Sequence, residues 1–300
     1  MHYGMMLPNL PAPFHFLDLI LVVGQPKIKL WRNRQLVETT PSDTANLLVG
    51  TGVEFTDQFR GYQVGRDLNL APDSSVIEFG ADLTWTGRYP DFTVAYRNPE
   101  FEVDLSVSAT DKIAHFVKLR GGLYDHWSLL CRYEGAITYA GNTTEISGLS
   151  TLEYARGANV ALPFSFFTYH ILNVDEATQV LMVEVLGPKG LPMQRAVYVR
   201  SLDDHGNTYE NNYRFDVHRL ESSARITPNG ISMHLGTDFT WSVDDDNSDQ
   251  VIEIHGVSNG DYRYGMGGGY AGSYRYTGRF RGKDIAGVGY VEYIGSHRLA

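Results

Sequence analysis

Ile285-Ala286-Gly287-Val288-Gly289-Tyr290-Val291-Glu292-Tyr293-Ile294-Gly295 is the stretch whose reading decides the fold. The chain carries its pattern twice. Ile146-Ser147-Gly148-Leu149-Ser150-Thr151-Leu152-Glu153-Tyr154 has the same Ile-x-Gly, the same three-residue spacer, and the same apolar-Glu-Tyr ending. A Tyr-x-Gly precedes each copy, at Tyr133-Glu134-Gly135 and Tyr276-Thr277-Gly278. A second echo joins Gly80-Ala81-Asp82-Leu83-Thr84-Trp85 to Gly236-Thr237-Asp238-Phe239-Thr240-Trp241, with Pro72 and Pro228 each eight residues upstream. Two blocks repeated in one order, without low-complexity sequence, indicate a duplicated domain.

Working outward, short apolar or β-branched runs alternate with turn material. Leu17–Val23, Ile28–Arg32, Leu47–Glu54, Val76–Trp85, Thr93–Tyr96, Glu102–Ser108, Ala114–Leu119, Trp127–Tyr139 and Ile146–Tyr154 read as strands. After Gly157–Pro163 the pattern restarts with Phe164–Asn173, Gln179–Leu186, Arg195–Arg200, Asn212–Leu220, Gly230–Trp241, Val251–Val257, Ser273–Arg281 and the closing strand. No stretch keeps the three- and four-residue apolar spacing of a helix. Pro8, Pro11 and Pro13 mark residues 1–16 as an extended arm. The expectation is all-β: two tandem antiparallel β-barrel domains at 17–160 and 161–300.

Composition narrows the function. A net charge of −10 without a basic cluster argues against nucleic acid and an anionic membrane surface. No run approaches the ~20 apolar residues of a membrane span, and Phe16–Gly24 lacks the basic leader of a signal peptide. A soluble cytoplasmic protein is expected. The single cysteine, Cys131, lies in an apolar run and reads as a small buried hydrophobe. The ten histidines are scattered without a metal-ligand spacing. Asp244–Asp249 lacks the glycine and the terminal glutamate of a calcium loop. The glycine-rich loop Tyr264–Tyr270 lacks the Lys-Ser/Thr of a phosphate cradle. Neither metal nor cofactor is expected.

The segment Tyr276–Gly282 followed by Gly287–Gly295 resembles the C-terminal signature of the AttH and carotenoid 1,2-hydratase (CrtC) proteins. Tyr133–Ile137, Ile146–Gly148 and the aromatic Phe166-Phe167 are similar to that family's domain junction. The resemblance implies two lipocalin-like domains around a hydrophobic cavity, and chemistry such as hydration or cyclisation on terpenoids and other lipophilic molecules. Where many members have a Trp- and His-containing motif, this chain reads Thr151-Leu152-Glu153-Tyr154-Ala155-Arg156-Gly157, keeping only the carboxylate and the glycine.

Candidate residues follow from strand parity. Glu153 and Glu292 point opposite to Leu152/Tyr154 and Val291/Tyr293. Facing an apolar interior, such a carboxyl has its pKa raised and serves as a general acid; facing solvent or an arginine, it is structural. Asp238, within the repeated block, and His170, among the aromatics of the expected junction strand, complete the acid/base set. Trp85, Trp241, Phe167, Tyr169 and Tyr293 are expected to line the cavity. Three readings remain open: a cofactor-independent acid/base enzyme of hydratase/dehydratase, isomerase or cyclase type acting on a terpenoid, steroid or other lipophilic molecule; a non-catalytic carrier or sensor of such a molecule; and a structural module with a filled core.

Overall fold

The computed structural model describes residues 1–25, 27–118, 122–158, 163–265 and 267–295. Leu119, the boundary residues 159–162 and Met266, all used in the sequence reading, lie outside them. The chain is nearly all β, as expected.

Eleven strands form the first sheet: β1 (His2–Leu7), β2 (Leu17–Val23), β3 (Thr44–Thr51), β4 (Phe59–Gln63), β5 (Leu68–Leu70), β6 (Val76–Phe79), β7 (Leu83–Arg88), β8 (Asp91–Arg97), β9 (Phe101–Lys118), β10 (Tyr124–Tyr139) and β11 (Asn142–Gly157). All pairings are antiparallel between chain neighbours, except that β1 closes onto β11 and the sheet opens between β4 and β5. The second half repeats this plan with β12 (Phe166–Asn173), β13 (Thr178–Leu186), β14 (Pro192–Ser201), β15 (Asn207–Tyr209), β16 (Tyr213–Leu220), β17 (Arg225–Ile226), β18 (Ser232–Met233), β19 (Gly236–Asp244), β20 (Gln250–Ser258), β21 (Arg263–Tyr264), β22 (Gly269–Phe280) and β23 (Lys283–Ile294). Its first strand, β12, again closes onto its last, β23, and the opening falls between β15 and β16. The first sheet nearly closes into a barrel and the second is a half-barrel.

The repeated motifs have a packing reason. Tyr133 stands cross-strand from Gly148, and Tyr276 from Gly287. Each tyrosine lies over the bare backbone of its glycine: a Cβ at Gly287 would come within 2.8 Å of the Tyr276 hydroxyl. An aromatic ring covering a cross-strand glycine pins the register of the hairpin.

Several elements differ from the sequence reading. Residues 1–16 are not an arm outside the sheet, since His2–Leu7 is inserted between β2 and β11. The prolines restrict only the residues before them, and all three follow the strand. Ile28–Arg32 is not a strand; Lys29–Trp31 is a 3-10 turn. A three-residue turn carries Trp31 toward Phe164 and Phe167, with Ile28 and Leu30 packed near Ile294. Val76–Trp85 is split by a turn at Gly80 to Asp82, so the first Gly-x-Asp block bends where the second runs straight through β19. Glu102–Ser108 and Ala114 onward are one bent strand, β9.

Three apolar clusters follow from alternation along the strands. Leu17, Leu19 and Leu21 fill the first barrel, and Val180, Met182 and Leu186 the second. The opposite faces of the same strands, with Ile20 and Val22 from one half and Leu181, Val183 and Val185 from the other, pack into a shared seam. Strands buried on both faces read as continuous apolar runs, which is why Leu17–Val23 was legible. Hydrogen bonds tie the seam's margins: Asn229 to the Arg32 carbonyl at 2.8 Å, and Arg263 to the Gly52 carbonyl at 2.7 Å. The glycine-rich loop belongs to these ties, for the Gly267 amide donates to Asn33 at 2.9 Å. Among the described residues no helix is long and apolar enough to cross a membrane.

Candidate functional site

The seam is incompletely filled. A cavity of about 560 Å3 opens between the two halves, walled by Met6, Ile20, Phe116, Phe167, Val183 and Val185. His2, His126 and Glu153 enter it from the first half, and Tyr169 and Glu292 from the second. An apolar wall with a few convergent polar groups is the usual form of a small-molecule site. A wider open groove of about 1090 Å3 runs elsewhere, past exposed Ser106, Ser108, Arg132 and Glu134.

Parity places the carboxylates here. Leu152 faces the first barrel's core, so Glu153 faces the seam; Val291 and Tyr293 face the second core, so Tyr290 and Glu292 face the seam. The sequence reading left two orientations open for these carboxyls, an apolar interior or solvent and an arginine. The structure turns them outward from each barrel, and burial comes from the other half.

Glu292 belongs to a three-member network. The Tyr290 hydroxyl oxygen lies 2.7 Å from Glu292 Oε1 and 2.9 Å from Asp18 Oδ2, while the Gly50 amide donates to Asp18 Oδ1 at 2.6 Å. A phenol has one proton, so it satisfies both carboxyl groups only if one of them is itself protonated. The Gly50 amide favours charge on Asp18, which puts the extra proton on Glu292. The electrostatics agree: burial pushes Glu292 up to about 8, with the Asp18 and Glu153 charges adding to it against the Tyr290 hydrogen bond. Burial also raises Asp18, to about 6, against hydrogen bonds from Tyr290 and Gly50.

Glu153 is the opposite case. Burial alone would raise its carboxyl, but His126, the Tyr169 hydroxyl and His2 outweigh it and hold it below the ordinary value. Tyr169 donates to Glu153 Oε1 at 2.7 Å, and His126 Nε2 stands 3.5 Å from Oε2. Burial, joined by the neighbouring His126 charge, lowers His2 to about 4. Two carboxyls with opposite protonation thus share one cavity, a pattern that marks acid and base roles.

The sequence candidates divide accordingly. Glu153, Glu292, Phe167 and Tyr169 meet at the cavity. His170 does not: it lies in the second barrel's core, edge-on to Phe215, Phe239, Trp241, Tyr274 and Tyr293. Burial there lowers its pKa well below the ordinary value. Trp241 and Tyr293 share that core, and Trp85 fills the first. Alternation assigns all four to the inner faces. Asp238 lies on the outer face, bound to His255 at 2.7 Å and Arg219 at 3.2 Å. Burial pushes the Cys131 thiol up to about 12, which leaves it inert.

Sequence reasoning missed His2, Asp18, His126 and Tyr290. His126 was within reach: counting pairs back from the Ala140-Gly141 turn places it opposite Ala155, beside Glu153. Asp18 carried a signal as a charge inside an apolar strand.

A family profile matches residues 20–298. The chain belongs to DUF6670, a family of unknown function. No curated protein matches this DUF6670 chain. Among solved structures, the AttH protein NE1406 of Nitrosomonas europaea is similar at TM-score 0.67 and 11% identity, over 100% of this chain and 93% of that one. Kievitone hydratase from Nectria haematococca is similar at TM-score 0.65 and 11% identity, over 98% of this chain and 88% of that one. At such identity the likeness establishes the fold of this DUF6670 protein.

Proposed function

We propose that this DUF6670 protein is an acid/base enzyme of hydratase/dehydratase type, acting on a lipophilic small molecule held in the seam cavity. The observation that carries the reading is the Asp18–Tyr290–Glu292 network, whose hydrogen-bond count keeps a proton on a buried carboxyl at the wall of an apolar cavity. In the dehydration direction Glu292 gives this proton to a leaving hydroxyl. The C–O bond breaks and water departs. Glu153, the ionised partner, takes a proton from the adjacent carbon as the double bond forms. Hydration is the reverse: protonated Glu153 gives its proton to the alkene carbon, water adds to the adjacent carbon, and Glu292, held in place by Tyr290, takes the proton that this water loses. The apolar wall supplies binding energy and keeps bulk water from the intermediate. The name of the similarly folded kievitone hydratase fits this class of reaction.

Native mass spectrometry of freshly purified protein, with extraction of any co-purifying lipophile, supplies the test compound. Incubation with wild type should interconvert alcohol and alkene forms, and Glu292→Gln should lose that activity while still binding the compound. Binding without turnover in the wild type would leave the carrier reading. Failure to bind either an extracted lipophile or a hydrophobic dye would sink the cavity itself.

A further inference from the structure

His2, His126 and Glu153 come from three neighbouring strands, β1, β10 and β11, and their ligand-type atoms all lie within 4.8 Å of one another. We infer that these three side chains form a binding site for a divalent transition-metal ion, with open coordination positions facing the cavity. Such a site leaves the acid role of Glu292 untouched and bears on the base: an ion held by Glu153 would take up the free carboxylate oxygen, and a water bound to that ion would accept the carbon's proton in its place.

The sheet register builds the site. His2 and His126 are the two cross-strand partners of Ala155, one on each side, and Glu153 lies two residues from Ala155 on the same face. The small Ala155 side chain leaves the space above it to the two imidazoles, whose ring centres stand 5.9 Å apart. Gly4, cross-strand from Glu153, clears the remaining approach: a Cβ there would lie 3.0 Å from His2 Nε2 and 3.4 Å from Glu153 Cβ. His126 Nε2 is buried, stands 3.5 Å from Glu153 Oε2 and has no hydrogen-bond partner. A buried imidazole nitrogen whose only near partner is a carboxylate oxygen at 3.5 Å leaves a gap that a cation between them would fill.

The outer contacts fit as well. His2 Nδ1 is 3.1 Å from the Leu21 carbonyl, which fixes the tautomer with Nε2 free. His126 Nδ1 is 3.4 Å from the Tyr124 hydroxyl. Tyr169 holds Glu153 Oε1, leaving Oε2 toward the histidines. Metal-binding histidines and carboxylates are oriented by such partners on their far atoms. Two imidazoles and one carboxylate suit zinc or ferrous iron rather than calcium or magnesium, which take oxygen ligands. Three protein ligands leave room for water or a substrate oxygen, which the ion would polarise. Ligand atoms about 2.1 Å from one ion stand about 3–3.5 Å apart, so closure needs side-chain rotation rather than a shift of strands.

The experiment uses full-length protein without a polyhistidine tag. Metal content as purified is measured by inductively coupled plasma mass spectrometry. Chelated protein is then titrated with Zn2+, with Co2+ read by its visible d–d absorption, and with Fe2+ under anaerobic conditions. The expected result is about one equivalent bound per chain, with the co-purifying ion separating zinc from iron. His126→Gln should weaken binding at least tenfold, and Tyr124→Phe about tenfold. Far-ultraviolet circular dichroism of the metal-free variants checks their folding, and Gly4→Val offers a second route by blocking His2. Glu292→Gln should keep the metal and lose turnover, so failure of the metal site and failure of the acid mechanism give different results. Wild type that binds none of the three ions stoichiometrically, or a folded His126→Gln that binds as tightly as wild type, would overturn the site.

Discussion

Tyr169 is the cross-strand neighbour of Glu292 within the second half, yet its hydroxyl donates to Glu153 of the first half at 2.7 Å. One residue thereby links the two copies of the duplicated Glu-Tyr motif across the seam. The link is asymmetric because Gly4 occupies the equivalent place beside Glu153. A glycine has no side chain to reach back, so the duplicated glutamates acquired different partners.

Removing that hydroxyl should be felt as an interface defect. Tyr169→Phe leaves a buried carboxylate one donor short, and a hydrogen bond to a charged group contributes about 1.5–3 kcal/mol. A fall in Tm of several degrees is expected at neutral pH, read by scanning calorimetry. An unchanged Tm would mean that Tyr169 does not hold Glu153 in solution.

Glu292 should give stability a pH signature. Its folded-state pKa is raised from 4.5 to about 8, so its contribution is fully present below 4.5 and is lost as pH rises through about 8. Glu292→Gln has no such loss. The variant should therefore gain on wild type between pH 5 and pH 9, by about 1.4 kcal/mol for each pH unit between the unfolded and folded pKa values. Asp18, raised to about 6, contributes a loss at lower pH in both proteins. Paired denaturant titrations across that range check the sign; a difference that does not grow with pH would refute the protonated assignment.

The Tyr290 hydroxyl is predicted to matter more to turnover than to binding. Tyr290→Phe strips the shared partner from Asp18 and Glu292, so kcat should fall at least tenfold while KM changes little. Stability should drop by about 1–3 kcal/mol, the cost of orphaned buried polar groups. Steady-state kinetics on the extracted compound separates the two parameters.

Filling the cavity should block it without unfolding the protein. Val185→Trp places a large ring in a space of about 560 Å3. Co-purifying ligand and dye binding should fall at least tenfold, with Tm held or raised, as cavity filling commonly does. Retained ligand would place the binding site elsewhere.

The sequence by itself determined the all-β class, the duplication and the strand faces, because period-2 alternation and repeated Tyr-Gly pairs are local properties. Leu17–Val23 was read to the residue, and parity set Glu153 and Glu292 apart from their core-facing neighbours. It could not say what those outward faces met. A strand face buried by a second domain looks in sequence like a strand face buried in a barrel, so Trp241, Tyr293 and His170 were grouped with Glu292 although they point the other way. Only the tertiary structure decided that β1 pairs with β11, which carries His2 to Ala155. Only the packing of one half on the other buried and raised Glu292 and left a cavity between the halves, since the seam joins Glu292 and Tyr290 to Asp18 at the far end of the chain.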